Sequence, residues 1–229
     1  MRIRTSWTLA LIALATGCSF SMGPDSWSAN SRGPGVKGSG HSSQEVREVG
    51  PFSSMRVSGN LGVEVVVEPD QDGEVVVHGD DNLMEYIRTE VDDGVLEIEV
   101  RRSVRPKSDL WVSVSAARLD GVSLAGSGEV TVRGIEGREF DISLGGSGDI
   151  DVSGRVEGLS VSLTGSGDID ADGLVADDVE VSIAGSGDVD VQARESLDVS
   201  IAGSGDVRYR GRPRLSISRA GSGDVSSRR

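Results

Sequence analysis

The sequence is short of the residue types on which many functional sites depend. Its 229 residues include one cysteine and two histidines. A single cysteine excludes an internal disulfide framework and a cysteine-based zinc site. Eight aromatic residues are too few for a core built on aromatic packing. The net charge of −14 argues against nucleic acid as a partner.

Glycine is abundant, with 32 residues, whereas proline contributes only 6. This is not the proline-rich and glycine-rich composition of a disordered or collagen-like chain. The apolar residues are mainly valine, leucine, isoleucine and alanine. Much glycine and valine with few aromatics predicts short strands joined by tight turns.

Long hydrophobic runs are also missing. The apolar run at residues 7–15 falls well short of the roughly 20 residues that a membrane-spanning helix needs. It follows Arg2 and Arg4, and this order is typical of a signal peptide. We therefore predict that residues 1–17 are a signal peptide.

The five residues at 14–18 (LATGC) resemble the lipobox of bacterial lipoproteins, although Ala15 stands where leucine is usual. The resemblance implies cleavage before Cys18 and lipidation of Cys18, so that the chain meets the membrane through its lipid. Ser19 then implies the outer membrane, by resemblance to sorting in Gram-negative bacteria. The alternative is ordinary cleavage near Gly17, with Cys18 as an unmodified thiol.

The rest of the chain divides into a linker and a repeat domain. Residues 18–48 are rich in glycine and serine and are predicted to be a flexible tether after the lipidated cysteine. Residues 49–229 are predicted to form one β-helix domain. In residues 49–118 strand-like runs alternate with turn signals and predict lead coils. Within them, residues 83–90 are expected to form a helical turn or to cap the first coil.

A repeat occupies residues 119–229. The motif SxxGSG followed by Asp or Glu begins at six serines: Ser123, Ser143, Ser162, Ser182, Ser200 and Ser218. Each 18–20-residue unit contains two runs with apolar residues at alternate positions, which predicts two short strands with one buried face. Such units bury that face only by stacking. The predicted fold is an all-β parallel β-helix, or β-solenoid. A meander or sandwich competes, but either would need differing hairpin turns.

Stacking defines three columns of inward side chains. They are Leu124, Leu144, Leu163, Ile183 and Ile201; Val130, Ile150, Ile169, Val189 and Val207; and Val122, Ile142, Val161, Val181, Val199 and Ile217. In the last copy Arg219 replaces the inward residue. We interpret Arg219 and its arginine neighbours as a polar cap on the final coil. A patch for anionic lipid or glycan is the alternative.

The order of lipobox, tether, strand-rich lead and SxxGSGD units resembles a bacterial family described as putative auto-transporter adhesin, head GIN domain. The likeness covers roughly residues 50–225. It implies a right-handed parallel β-helix, an exported location and an adhesin-like role. No catalytic residues come with it.

Two ladders of repeated side chains are the candidates for chemistry. The acidic ladder follows the GSG turns and comprises Glu129, Asp149, Asp168, Asp188, Asp206 and Asp224. Stacked carboxylates repel each other and could bind calcium, but an aspartate in a turn more often accepts backbone N–H groups. The serine ladder lacks the spacing of a nucleophile elbow and is interpreted as turn chemistry. No catalytic site and no other cofactor are predicted.

The function predicted from the sequence is a non-enzymatic exported lipoprotein of the bacterial cell envelope. Its β-helix would serve as an adhesin-like or scaffold module for an unidentified envelope, glycan or protein partner, on the cell surface or the periplasmic face. The alternatives are a polysaccharide-acting β-helix enzyme, which would need a singular cluster of catalytic groups, and a periplasmic signalling accessory protein.

Overall fold

The computed structural model describes residues 35–69 and 73–228, and their regular structure is almost entirely β-strand. One 3-10 helix spans Asp81–Tyr86 and overlaps the first half of the segment 83–90 where a helical turn is expected, whereas the second half belongs to the strand Ile87–Asp92. The signal peptide, Cys18 and the first part of the predicted tether lie outside the described residues. The strands are β1 (Val36–Lys37), β2 (Ser42–Glu48), β3 (Ser54–Gly59), β4 (Gly62–Val67), β5 (Glu74–Asp80), β6 (Ile87–Asp92), β7 (Val95–Val100), β8 (Val104–Arg105), β9 (Trp111–Ala116), β10 (Gly121–Gly126), β11 (Glu129–Glu136), β12 (Glu139–Gly146), β13 (Asp149–Gly165), β14 (Asp168–Gly185), β15 (Val189–Gly203), β16 (Val207–Arg210), β17 (Arg214–Gly221) and β18 (Val225–Ser227).

The strands form two stacks, and neighbouring strands within each stack are parallel. Each coil of the solenoid passes through both stacks. The first stack runs β7, β3, β10, β12, β13, β14, β15, β17, and the second runs β9, β4, β11, β13, β14, β15, β16, β18. Strands β13, β14 and β15 are long enough to turn a corner and belong to both stacks. Equivalent residues of successive repeats pair in register, as Leu144 does with Leu124 and Leu163. The predicted β-solenoid with 18–20-residue coils is confirmed.

The core lies between the two stacks. Every predicted column member up to Val207 is at most 3% exposed. Ile217 keeps the column register opposite Val199 but is 43% exposed. The reason is its place on β17, the last strand of its stack, where no further coil covers it. The prediction that Ile217 is buried is therefore wrong.

The lead coils do not stack in chain order. The coil made by β3 and β4 lies between the first GSG coil (β10 and β11) and a coil made by β7 and β9, which come later in the chain. Antiparallel strands close this end: β5 pairs with β9, β2 with β5, and β6 with β7. Asp93 and Gly94 connect β6 and β7 with positive φ at both residues, as a tight hairpin turn requires.

Part of the predicted tether is folded, so the boundary at residue 48 is wrong. Strand β1 pairs with β8, and β2 pairs with β5 over its whole length. Arg47 of β2 also donates to the carbonyl oxygens of Met84, at 2.8 Å, and Ile87. Side chains of β2 are almost all exposed, so its sequence carries no apolar alternation. Backbone pairing and one arginine, rather than burial, hold it in place.

The GSG turns stack backbone on backbone. In the coil of Gly185 the N–H of Ser186 donates to the carbonyl oxygen of Gly165 in the preceding coil at 2.8 Å. Gly185 has φ +147°, and a Cβ added there would run into the backbone of Gly165. The turn therefore needs glycine for its conformation and for the close approach of the next coil.

Candidate functional site

The acidic ladder lies along the GSG turns as the sequence predicts, and its carboxylates contact the next coil. From Asp149 onward each Oδ1 accepts the backbone N–H of the following ladder residue. The distances are 3.4 Å for Asp168 onto Asp149, 3.0 Å for Asp188 onto Asp168, 3.0 Å for Asp206 onto Asp188, and 2.8 Å for Asp224 onto Asp206. The geometry favours a structural role that links successive coils.

Calcium at the ladder stays a prediction. Within residues 35–69 and 73–228, no three histidine, cysteine, aspartate or glutamate side chains are placed to hold a metal ion. The serine ladder is exposed, and its backbone N–H groups bond the preceding turns.

Removing one ladder carboxylate should weaken the contact between its own coil and the next coil along the chain. Asp168→Ala should lower the free energy of unfolding by about 0.5–1 kcal/mol, because the N–H of Asp188 loses its acceptor. Asp168→Asn keeps an acceptor oxygen and removes one like-charge repulsion, so it should be neutral or slightly stabilising. Urea unfolding of the two variants measures the difference.

The opposite result has a clear signature. If the asparagine variant were as unstable as the alanine variant, the carboxylate charge itself would be needed. Calcium binding would give a second result. Millimolar calcium would raise the melting temperature of the unmodified protein but not of the two Asp168 variants, and magnesium would have no such effect.

The arginines of the last coils pair with carboxylates. Arg210 lies 3.0 Å from Asp172, and Arg228 lies 3.8 Å from Asp172 and 3.5 Å from Asp190. Burial raises the pKa of Asp190, while the guanidinium groups of Arg228 and Arg208 oppose that shift. Much of the positive charge noted in the sequence is therefore neutralised within the protein. This weakens the alternative of an anion-binding patch.

A cleft lies at the other end of the solenoid, where antiparallel strands are added. Gln44, His78, Trp111 and Gly62 are paired in one row across β2, β5, β9 and β4, and Glu129 of β11 continues the row. The rings of His78 and Trp111 stack with centroids 4.0 Å apart and 6° between their planes. A cavity of about 590 Å³ opens beside them. Its lining residues are Ser42, Ser43, Gln44, His78, Lys107, Ser108, Asp109 and Trp111.

Asp80 fixes the wall of this cleft. Its side chain is 0% exposed and accepts the backbone N–H groups of Gly40 and Lys107, each at 2.7 Å, and of Ser108 at 3.2 Å. Burial alone would raise the pKa of Asp80, but these hydrogen bonds outweigh it and hold the pKa below its usual value. One carboxylate thus ties the segment before β2 to the loop before β9.

The sequence pattern does not reveal the cleft. The row joins residues that lie far apart in the chain. The antiparallel pairings that bring them together lie outside the repeat, so the repeat does not predict them. One signal was present. Strand β9 alternates, and the alternation places Trp111 on its outward side with Ser113 and Ser115. A tryptophan on the side of the strand away from the core is unexpected in a chain with so few aromatic residues.

The comparisons with known proteins agree with this fold. The model of the family described as putative auto-transporter adhesin, head GIN domain, matches residues 51–213. The chain belongs to this family. The match contains the strands of both lead coils and most of the GSG repeats. No curated protein matches the chain in sequence.

Solved bacterial structures share the architecture of this family member. A putative adhesin from Bacteroides fragilis has a TM-score of 0.70 at 24% identity, covering 84% of this chain and 100% of its own. A putative lipid binding protein from Parabacteroides distasonis has a TM-score of 0.53 at 24% identity, covering 85% and 99%. A putative adhesin from the same species has a TM-score of 0.53 at 23% identity, covering 84% and 99%. At these identities the likeness establishes the fold.

Within the described part of the chain, no helix has the length and apolar character needed to cross a bilayer.

Proposed function

We propose that this protein is a lipid-anchored, adhesin-like binding module of the bacterial cell envelope. The observation that carries the proposal is the cleft beside His78 and Trp111, which combines a half-buried aromatic stack with polar groups at one end of the solenoid. Pockets of this size with a few convergent polar groups are typical of ligand sites. Membership of an adhesin family supports the same interpretation.

Binding is favoured over catalysis by how the acidic residues are distributed. The ladder repeats its carboxylates coil after coil and engages them with backbone N–H groups. Catalysis would instead use a singular pair of carboxylates whose surroundings push their pKa values apart.

The anchor is tested by Cys18→Ser. We expect the unmodified protein to fractionate with membranes and the serine variant to become soluble, because two or three acyl chains bind a bilayer far more strongly than this acidic domain would. Ser19→Ala is the matched control and should stay with the membrane. Membrane fractionation of Cys18→Ser would contradict the lipoprotein assignment.

The soluble Cys18→Ser protein also tests binding. Immobilised through its carboxyl end, it should retain intact cells or isolated envelope polysaccharide. An absence of retention across cells, extracellular matrix and polysaccharide would overturn the proposed function. Protease digestion of intact cells that carry the anchored protein then distinguishes the cell surface from the periplasmic face.

A further inference from the structure

One face of the Trp111 indole is left uncovered by its neighbours in the row. His78 stacks on the other face. On the open side the next residue in the row is Gly62, which has no side chain. A Cβ added to Gly62 would meet only the Cβ of Trp111, at 3.6 Å, and no ring atom within 4 Å. The indole therefore does not lie over the glycine, and the row position between Trp111 and Glu129 carries no side chain. We call this position the slot.

The backbone conformation at position 62 does not require glycine. Gly62 begins strand β4, and its φ is not among the positive values found in the turns. Residues at the same row position in later coils are Glu129, Asp149 and Asp168. Glycine weakens a strand and often marks a place where a ligand approaches closely. Here its effect is to leave the indole face free.

The slot is wide and carries polar edges. Trp111 and Glu129 lie two strand spacings apart, which is roughly 9–10 Å. Ser113 follows Trp111 on the same face, and its Oγ lies 3.2 Å from His78 Nε2, a contact that holds the stacked pair in place. The hydroxyl groups of Ser42 and Ser43 and the amide of Gln44 line the cavity on the other side of His78, so they do not border the slot.

These features select one class of ligand. A pyranose ring has an apolar face of C–H groups that packs on an aromatic plane, and a rim of hydroxyl groups that needs both donors and acceptors. The net charge of −14 and the adjacent Glu129 disfavour an acidic sugar. An extended peptide is disfavoured because β9 is paired on both edges, with β4 and β5, and offers no free strand edge.

We propose that the slot between Trp111 and Glu129, above Gly62, binds one ring of a neutral polysaccharide. The proposal rests on the proposed binding function and names the chemical class of its ligand. The sugar stacks on the indole face that His78 leaves uncovered, and its hydroxyl groups bond the Glu129 carboxylate.

The test uses the full mature chain with Cys18→Ser and a panel of oligosaccharides built from neutral hexoses, N-acetylhexosamines or uronic acids. Isothermal titration calorimetry should find binding to a neutral member. Trp111→Ala should weaken that binding at least about tenfold, since the stacking surface is lost. Gly62→Thr should weaken it by a similar factor while the melting temperature stays equal or rises, because threonine suits a strand and fills the slot.

Val66→Thr is the matched control. Val66 lies on the outward face of the same strand, is 40% exposed, and is four residues from the slot. It should leave affinity within about twofold. The proposed sugar site would be wrong if neutral-sugar binding survived both Trp111→Ala and Gly62→Thr. It would also be wrong if only the uronic acid members of the panel bound.

The two proposals fail differently. If the Cys18→Ser protein retains cells and no oligosaccharide binds, the binding function stands and the sugar slot is wrong. If cell retention is lost on treating the cells with protease but not on removing their polysaccharide, the partner is a protein and the sugar slot is again wrong. If nothing is retained and nothing binds, both proposals fall.

Discussion

Gly185→Ala should lower the free energy of unfolding by about 3 kcal/mol, a large effect for the addition of one methyl group. The new Cβ would overlap the carbonyl oxygen of Gly165 and lie 2.9 and 3.0 Å from its carbonyl carbon and nitrogen. Backbone cannot swing aside as a flexible side chain can. That same oxygen accepts the N–H of Ser186, so moving the coil would also break a bond between turns. Urea unfolding followed by circular dichroism measures the loss.

Gly145→Ala is the matched control for this experiment. A Cβ on Gly145 would meet only the carbonyl oxygen of Leu124, at 3.9 Å, and the equivalent position in other coils is occupied by Ala125 and Ala184. We expect a neutral or slightly stabilising effect, because alanine reduces the freedom of the unfolded chain. Equal losses at Gly145 and Gly185 would show that the stacked turn is not the cause.

Asp80→Ala should lower the melting temperature by on the order of 10 °C. Without the carboxylate, the N–H groups of Gly40, Lys107 and Ser108 lose their acceptor inside the protein. The cleft wall should loosen with them, because Lys107 and Ser108 line the cavity. Differential scanning calorimetry gives the melting temperature. Asp80→Asn, which keeps one acceptor oxygen, should fall between the alanine variant and the unmodified protein.

The stabilising effect of Asp80 should depend on pH in a defined direction. Since folding lowers the pKa of Asp80, its contribution is fully present above the ordinary aspartate pKa of about 3.9. The contribution is lost as the pH falls through the lower pKa of the folded state. The difference in melting temperature between the unmodified protein and Asp80→Asn should therefore be widest near neutral pH and narrow below about pH 4. A difference that does not change with pH would contradict the role given to the charge.

The coils with GSG turns were predictable because each one repeats the same alternation of apolar residues and the same turn. Alternation around Ile183 and Val189 marks two half-buried strands, and the identical GSG turn between them sets the register. The coil of β3 and β4 carries no such mark, because Asn60 and Leu61 stand where later coils have serine and glycine. The strands of this coil could be predicted from their alternation. The position of the coil between two other coils could not.

Other features left no pattern to follow. Strand β2 is held by backbone pairing and Arg47, neither of which produces an apolar period. The cleft depends on antiparallel pairing that brings Gln44 and His78 beside Trp111. The acidic ladder was found in the sequence, yet only the register between coils shows that four of its carboxylates, from Asp149 to Asp206, accept the N–H of the next ladder residue.

The inserted position of β3 and β4 makes the two ends of the solenoid mechanically unequal. At the carboxyl end, β18 and β17 are each bonded along one edge, so a pull there would break a single row of bonds for each strand. At the amino end, a pull first reaches β1 and β2, each bonded along one edge, and then β3, which is bonded on both edges, to β7 and β10. Releasing β3 requires two rows of parallel bonds to break together. A load entering through an anchor at Cys18 would therefore reach the doubly bonded β3 only after β1 and β2 had detached.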